Sequence, residues 1–185
     1  MNDKYSLDSL LLAAIKFASD KHVSQRRKGC ENIPYINHVI KVAYILQETG
    51  KETNPQVLAA AVLHDVIEDT NTTEEELSGL FGNLVASLVK EVTDDMTLTY
   101  DDRKRFQIKK APFLTNDAKK IKIADKIANI HDILNCPLSW SNRRKRMYVD
   151  WSEKVIEGCR GVNQLLDKSF DEIVLKAKDI LIEED

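Results

Sequence analysis

The run Ala59-Ala60-Ala61-Val62-Leu63-His64-Asp65-Val66-Ile67-Glu68-Asp69 holds the reading on which the fold turns. Asn54-Pro55 stands just before it, a capping residue followed by a proline at the first helical position, so a helix starts there. From Val57 to about Ile67 the residues are apolar on nearly every side, and such a helix is central and surrounded by others. Near its end stand an imidazole and a carboxylate. Buried ionisable groups are costly unless paired, so His64 and Asp65 need either polar partners or a metal ion. On these two residues alone both readings stay open.

Working outward, almost every segment carries a helical period. Leu10, Leu11, Ala14, Ile15 and Ala18 mark one face of an amphipathic helix. Ser24 to Glu31 breaks the pattern, and a second helix is predicted from near Pro34 to before Gly50, burying Ile36, Ile40, Ala43 and Leu46. Thr72 or Thr73 with Glu75 or Glu76 forms a capping box for a helix ending near Gly82. Further helices are predicted over Leu84 to Val92, Asp101 to Lys110, Asp117 to Leu134, Ser141 to about Leu166, and Ser169 to Ile182. Thr93 to Tyr100 reads as a loop. No alternating strand of useful length, internal repeat or linker is visible. The predicted class is all-α, one multi-helix domain over residues 1–185.

Composition narrows the function. With 185 residues, 43% hydrophobic and 31% charged, the chain is an ordinary globular protein. A net charge of −3 provides no basic field for nucleic acid, so no nucleic-acid partner is expected and any polyanion must meet a local patch. The longest apolar run, Val57 to Leu63, is far short of a membrane span, and no membrane partner is expected. Three cysteines without Cys-x-x-Cys spacing fit a reducing compartment better than a disulfide framework. A cytoplasmic location is expected.

His38, inside the apolar surface of the second helix, and Asp125, flanked by core residues, join His64 and Asp65. Two imidazoles and two carboxylates suit Mn²⁺, Fe²⁺, Mg²⁺ or Zn²⁺ and leave positions open for water. The gap from His38 to His64 is 26 residues, and that from Asp65 to Asp125 is 60. No glycine-rich phosphate loop, His-Glu-x-x-His or Gly-x-Ser-x-Gly is present.

The order His … His-Asp … Asp is that of the HD phosphohydrolases, and longer motifs sharpen the likeness. Arg26-Arg27-Lys28, Pro34-Tyr35-Ile36-Asn37-His38, Leu63 through Thr70, Phe81-Gly82, Val92-Thr93-Asp94-Asp95 and Lys122 through Asn129 resemble the hydrolase domain of RelA/SpoT-type alarmone enzymes. Arg103-Lys104-Arg105, Trp140-Ser141, Tyr148 and Trp151 resemble the small stand-alone alarmone hydrolases, of which the metazoan SpoT homologue is the familiar example. The resemblance runs from about residue 10 to residue 170. It implies an HD-domain fold and a Mn²⁺-dependent hydrolase that removes the 3′-pyrophosphate of guanosine 3′,5′-bis(diphosphate). It implies His38, His64, Asp65 and Asp125 as metal ligands, and Glu68 and Asp69 as the pair that orients and activates water. Residue spacing agrees, since Glu68 lies four residues after His64 and Asp69 four after Asp65. A small guanine nucleotide is thus the expected partner, and hydrolysis without synthesis the expected activity, since no synthetase or regulatory domain is seen.

Arg27 and Lys28 match family positions at the pocket mouth, and Asn129 and Tyr148 match nucleotide contacts. Trp140 and Arg144 are further candidates near the phosphates, Arg144 standing evenly between contact and solvated face. Arg143, Lys145 and Arg146 read as solvated face, Trp151 as core, His22 as support for the basic loop, and His131 as helix flank. Met96 and Tyr100 depart from relatives that carry lysine in this loop. A phosphohydrolase of another nucleotide, such as a 2′-phosphatase of NADPH, and a catalytically silent nucleotide-binding module are the alternatives.

Overall fold

A computed structural model of the chain describes residues 7–181. Ten α-helices are present among these residues: α1 (Leu7–Lys21), α2 (Ile36–Glu48), α3 (Pro55–Leu63), α4 (Val66–Asp69), α5 (Glu74–Phe81), α6 (Asn83–Val92), α7 (Tyr100–Lys110), α8 (Asn116–Asn135), α9 (Asn142–Glu157) and α10 (Gln164–Ile180). A 3₁₀ turn, Ala111–Phe113, links α7 to α8, and a short hairpin of β1 (Arg26–Arg27) and β2 (Cys30–Pro34) lies between α1 and α2. The predicted end of the last helix at Ile182 lies outside the described residues.

The apolar run forms the centre. Every residue from Val57 to Leu63 is buried, and α1, α2, α6 and α8 all pack on α3. Ala59, Ala60 and Ala61 let those neighbours come close because they carry only a methyl group. α10 packs on α8 and α9 and buries Phe170, Leu166 and Ala177 against them.

Capping residues set the helix starts. Asn54 accepts from the backbone N–H of Gln56 at 2.9 Å, with Pro55 at the first helical position. Thr73, Thr99, Thr115 and Ser141 do the same for α5, α7, α8 and α9. Each such cap contributes about 1 kcal/mol.

Four predictions differ from the structure. The central helix does not run on to Ile67; it stops at Leu63 and restarts as α4 at Val66. The long helix predicted from Ser141 to Leu166 ends at Glu157. Gly161 adopts φ +85°, and Asn163 caps a new helix by accepting from the N–H groups of Leu165 and Leu166 while donating to the Gly50 carbonyl. Ile40 is 39% exposed, because the buried stripe of α2 passes through His38, Val39, Val42, Ala43 and Leu46 instead. The hairpin was not predicted, since its strands are too short to show alternation. Its turn depends on Gly29, whose φ of +76° favours glycine, and a Cβ there would collide with the Leu138 side chain. Of the cysteines, Cys159 is free and buried, whereas Cys136, just after α8, is disulfide-bonded.

The core position of Phe170 yields a stability prediction. Phe170→Ala leaves a void between α10 and α8, and its unfolding free energy should fall by about 3–5 kcal/mol in denaturant titration. A loss below about 1 kcal/mol would mean that α10 is not part of the cooperative core.

Candidate metal centre and nucleotide pocket

The break after α3 coincides with a side-chain hydrogen bond. His64 Nδ1 lies 2.8 Å from the Ala61 carbonyl and donates to it, supplying an acceptor bond where the regular helix ends. That bond places a proton on Nδ1 and turns Nε2 towards the carboxylates. Nε2 is buried and without a hydrogen-bond partner of good geometry. It faces Asp65 Oδ2 at 3.0 Å and Asp125 Oδ1 at 3.7 Å. His38 Nε2 enters the same space from α2, 3.3 Å from Asp125 Oδ1 and 3.8 Å from Asp65 Oδ2. Ligand atoms of His38, His64 and Asp65 lie within 4.8 Å of one another. Two buried carboxylates beside two imidazoles call for positive charge among them, whether a proton or a metal ion. The donor set therefore fits a divalent cation, with hard oxygens and borderline imidazoles in one small space.

The electrostatics have the same character. Burial opposes charge on Asp65, yet His64 and then His38 hold its carboxyl well below the usual range. Burial likewise opposes charge on Asp125, which Lys126, His38 and His64 hold low. Burial disfavours an imidazolium at His64, but Asp65 and Asp125 lift its pKa to about 10. Burial pushes the Glu68 carboxyl up to about 7, with Asp65 and Asp94 adding to it.

Every sequence-predicted site residue lines one cavity of about 390 Å³. Glu68 and Asp69 enter from α4, and Glu68 Oε2 accepts the Asp94 backbone N–H at 3.1 Å. Arg27, from β1, is not a free cation. It donates to Asp132 Oδ2 at 2.9 and 3.1 Å and to Asn129 Oδ1 at 2.7 Å. Asn129 in turn donates from Nδ2 to Asp125 Oδ1 at 2.6 Å, so the hairpin is wired to a metal-centre carboxylate. Lys28 lies exposed at the hairpin turn. Across the cavity the Arg144 guanidinium covers the Trp140 ring at 4.2 Å, and Trp140 sits 6.2 Å from Tyr148. Burial raises the Tyr148 phenol to about 12, so it stays protonated and can donate.

Several contributors were not read from the sequence. Tyr35 donates its hydroxyl to Asp65 Oδ2 at 2.7 Å. Lys126 is 4% exposed, paired with Asp125 at 3.0 Å and placed over the Trp151 ring at 4.7 Å. Trp151 is half-buried behind Tyr148, with a second ammonium, that of Lys104, 4.8 Å from its ring. Asp94 and Gln107 also line the cavity and are hydrogen-bonded to each other. Asp132 had a visible signal, since Asp125, Asn129 and Asp132 recur at helical steps on α8.

Comparison with known proteins follows the same lines. The HD domain family matches residues 14–148. Guanosine-3′,5′-bis(diphosphate) 3′-pyrophosphohydrolase MESH1 of Xenopus tropicalis is 46% identical over 168 residues, spanning 90% of this chain and 94% of its own. The Homo sapiens protein of the same name is 46% identical over 161 residues, spanning 86% and 90%. A solved structure of a metazoan ortholog of SpoT, described as hydrolyzing ppGpp with a role in starvation responses, matches with a TM-score of 0.87. It is 41% identical and covers 91% of this chain and 95% of that one.

Two predictions arise from this geometry. Asp65→Asn keeps the shape and removes the charge. It should weaken Mn²⁺ binding by about 100-fold in isothermal titration, and an unchanged affinity would remove Asp65 from the ligand set. Asp132 concerns stability. Burial opposes its charge, but Lys41 and Arg27 hold its carboxyl below the ordinary value. A folded-state value below the unfolded one means stabilisation above about pH 4 that is lost as pH falls further. Unfolding free energies from pH 3 to 6 should therefore fall less steeply towards acid for Asp132→Asn than for the unaltered protein, and parallel curves would contradict the linkage.

Proposed function

Because the chain belongs to the HD domain family, we propose that its cavity is the active site of a guanosine-3′,5′-bis(diphosphate) 3′-pyrophosphohydrolase working in the cytoplasm, with Mn²⁺ as the divalent cation. The observation that carries this reading is the meeting, in one cavity, of the four-residue donor set, the Glu68–Asp69 pair and a wall of cations and aromatic rings. Relatives with that name match nearly the full length of the chain, which supports the choice of substrate.

His38, His64, Asp65 and Asp125 would hold the cation. When bound, such a cation lowers the pKa of water towards neutrality and offsets phosphate charge. Glu68 is placed to take the proton of the attacking water. Its raised pKa, with a hydrogen bond from the Asp94 N–H, leaves it basic enough to accept and close enough to neutrality to release. Asp69, on the same short helix, orients that water. The water oxygen forms a bond to phosphorus, the bond from phosphorus to the ribose 3′-oxygen breaks, and the 3′-oxygen takes up a proton. GDP and pyrophosphate result, or GTP and pyrophosphate from the pentaphosphate.

Phosphate recognition falls to Arg27, Lys28 and Arg144. Arg144 carries a planar fork suited to paired oxygens, Arg27 offers its Nη1 edge while Asp132 and Asn129 hold Nε and Nη2, and Lys28 acts as a point charge. Trp140 and Tyr148 offer faces for the nucleoside, with Asn129 holding Arg27 in register.

Glu68→Gln should lower kcat by about 100-fold or more while Mn²⁺ affinity stays within about twofold. Anion-exchange resolution of GDP and pyrophosphate from guanosine 3′,5′-bis(diphosphate) reads the first, and isothermal titration reads the second. Retained turnover would remove Glu68 from proton transfer. Faster turnover of NADPH than of the guanosine substrate, compared as kcat/KM, would move the specificity to the alternative nucleotide.

A further inference from the structure

Asp69 closes α4, and its Oδ2 accepts a hydrogen bond from Gln25 Nε2 at 2.8 Å. Gln25 belongs to none of the helices that build the metal centre; it lies in the turn between α1 and β1. An ionised carboxylate only accepts, so the Gln25 amide must present its NH₂ group to Asp69. That orientation points Oε1 at His22 Nδ1, 2.6 Å away. An oxygen at that distance needs a donor, so His22 carries its proton on Nδ1. The hydrogen bonds then run one way, from the imidazole N–H to the amide oxygen and from the amide N–H to the carboxylate.

The frame around this chain is rigid. His22 is 1% exposed, and its ring lies 5.0 Å from that of Tyr35. The Gln25 backbone N–H donates to the His22 carbonyl at 2.9 Å, and the Gln25 carbonyl accepts from the Tyr35 N–H at 3.0 Å. Tyr35 is the residue whose hydroxyl holds Asp65. Gln25 is thus anchored on both sides of its backbone and at both ends of its amide. A surface glutamine held only to tidy a loop would need none of the last two contacts.

We propose that Gln25, backed by the Nδ1–H tautomer of His22, is a positioning residue for Asp69. It occupies one carboxylate oxygen and leaves the other for the water or substrate in the cavity. The inference rests on the reading of Asp69 as half of the water-orienting pair, and it adds two residues outside the metal centre to the machinery. Gln25 touches no reacting atom; it acts through Asp69 alone.

The first test needs no activity. Long-range ¹H–¹⁵N spectra of the unaltered protein in diamagnetic Mg²⁺ buffer distinguish the two imidazole tautomers, and the chain has 4 histidines to assign. The expected result is Nδ1–H for His22; an Nε2–H tautomer would overturn the relay. The second test is a double-mutant cycle. Gln25→Met keeps the length and removes the amide, and should lower kcat about tenfold with KM and Mn²⁺ affinity within about twofold. Gln25→Leu serves if that variant folds poorly. In an Asp69→Asn background the same substitution should cost less than about twofold, because its route to the chemistry is already gone. A further tenfold loss there would overturn the proposal while leaving the role of Asp69 standing. A rise in KM at constant kcat would overturn it too, by making Gln25 a substrate contact. Full activity of Asp69→Asn alone would instead defeat the reading of Asp69 and the relay with it.

Discussion

The hydrogen bond from His64 Nδ1 to the Ala61 carbonyl is the contact on which the rest of the centre depends. It accompanies the end of the buried helix, puts a proton on Nδ1 and turns Nε2 towards Asp65 and Asp125. A regular helix continuing through Ile67 would carry His64 and Asp65 around a cylinder at 100° per residue, pointing them to different neighbours. The break instead sets both against one space, and α4 restarts with Glu68 and Asp69 facing the same cavity. The all-round burial of α3 is what makes the arrangement firm. With α1, α2, α6 and α8 all packed on α3, the helix has no freedom to slide.

Helix α8 supplies the second half. Asp125 reaches both imidazoles, Asn129 one turn later donates to Asp125, and Asp132 after another turn holds Arg27. A single face of one helix thereby joins the metal centre to the basic hairpin. The protein is acidic overall, yet Arg27 is held at the cavity mouth by hydrogen bonds to Asp132 and Asn129.

The fold class was legible because helical periodicity is a local property and nearly every segment of this chain carries it. The cluster of candidate ligands was legible because two imidazoles and two carboxylates in apolar surroundings violate the ordinary rules of burial, and its order matched that of the family the sequence resembles. What escaped were features that depend on partners distant in sequence or on a single torsion angle. The kink at His64-Asp65 left no mark in the apolar run, since Val66 and Ile67 continue its pattern. The hairpin depended on one left-handed glycine and the bulk of Leu138, 109 positions away. Asp94 stood in a family-like motif without a role of its own and Gln107 drew no notice; the fold brings the Asp94 N–H onto Glu68 and Gln107 onto Asp94.

By itself, the sequence determined that the chain is helical around the 57–63 segment and that four ligand-type residues, His38, His64, Asp65 and Asp125, stand among apolar residues with Glu68 and Asp69 just beyond the pair. These conclusions rest on periodicity and on the cost of burying charge, both readable without coordinates. Tertiary structure alone decided which donor faces which acceptor: the bond from His64 Nδ1 to the Ala61 carbonyl, the capture of Arg27 by Asp132 and Asn129, the hold of Tyr35 on Asp65, and the path from His22 through Gln25 to Asp69. Hydrogen bonds are directional and short in range, so their partners are set only once packing has brought distant segments within about 3 Å of each other.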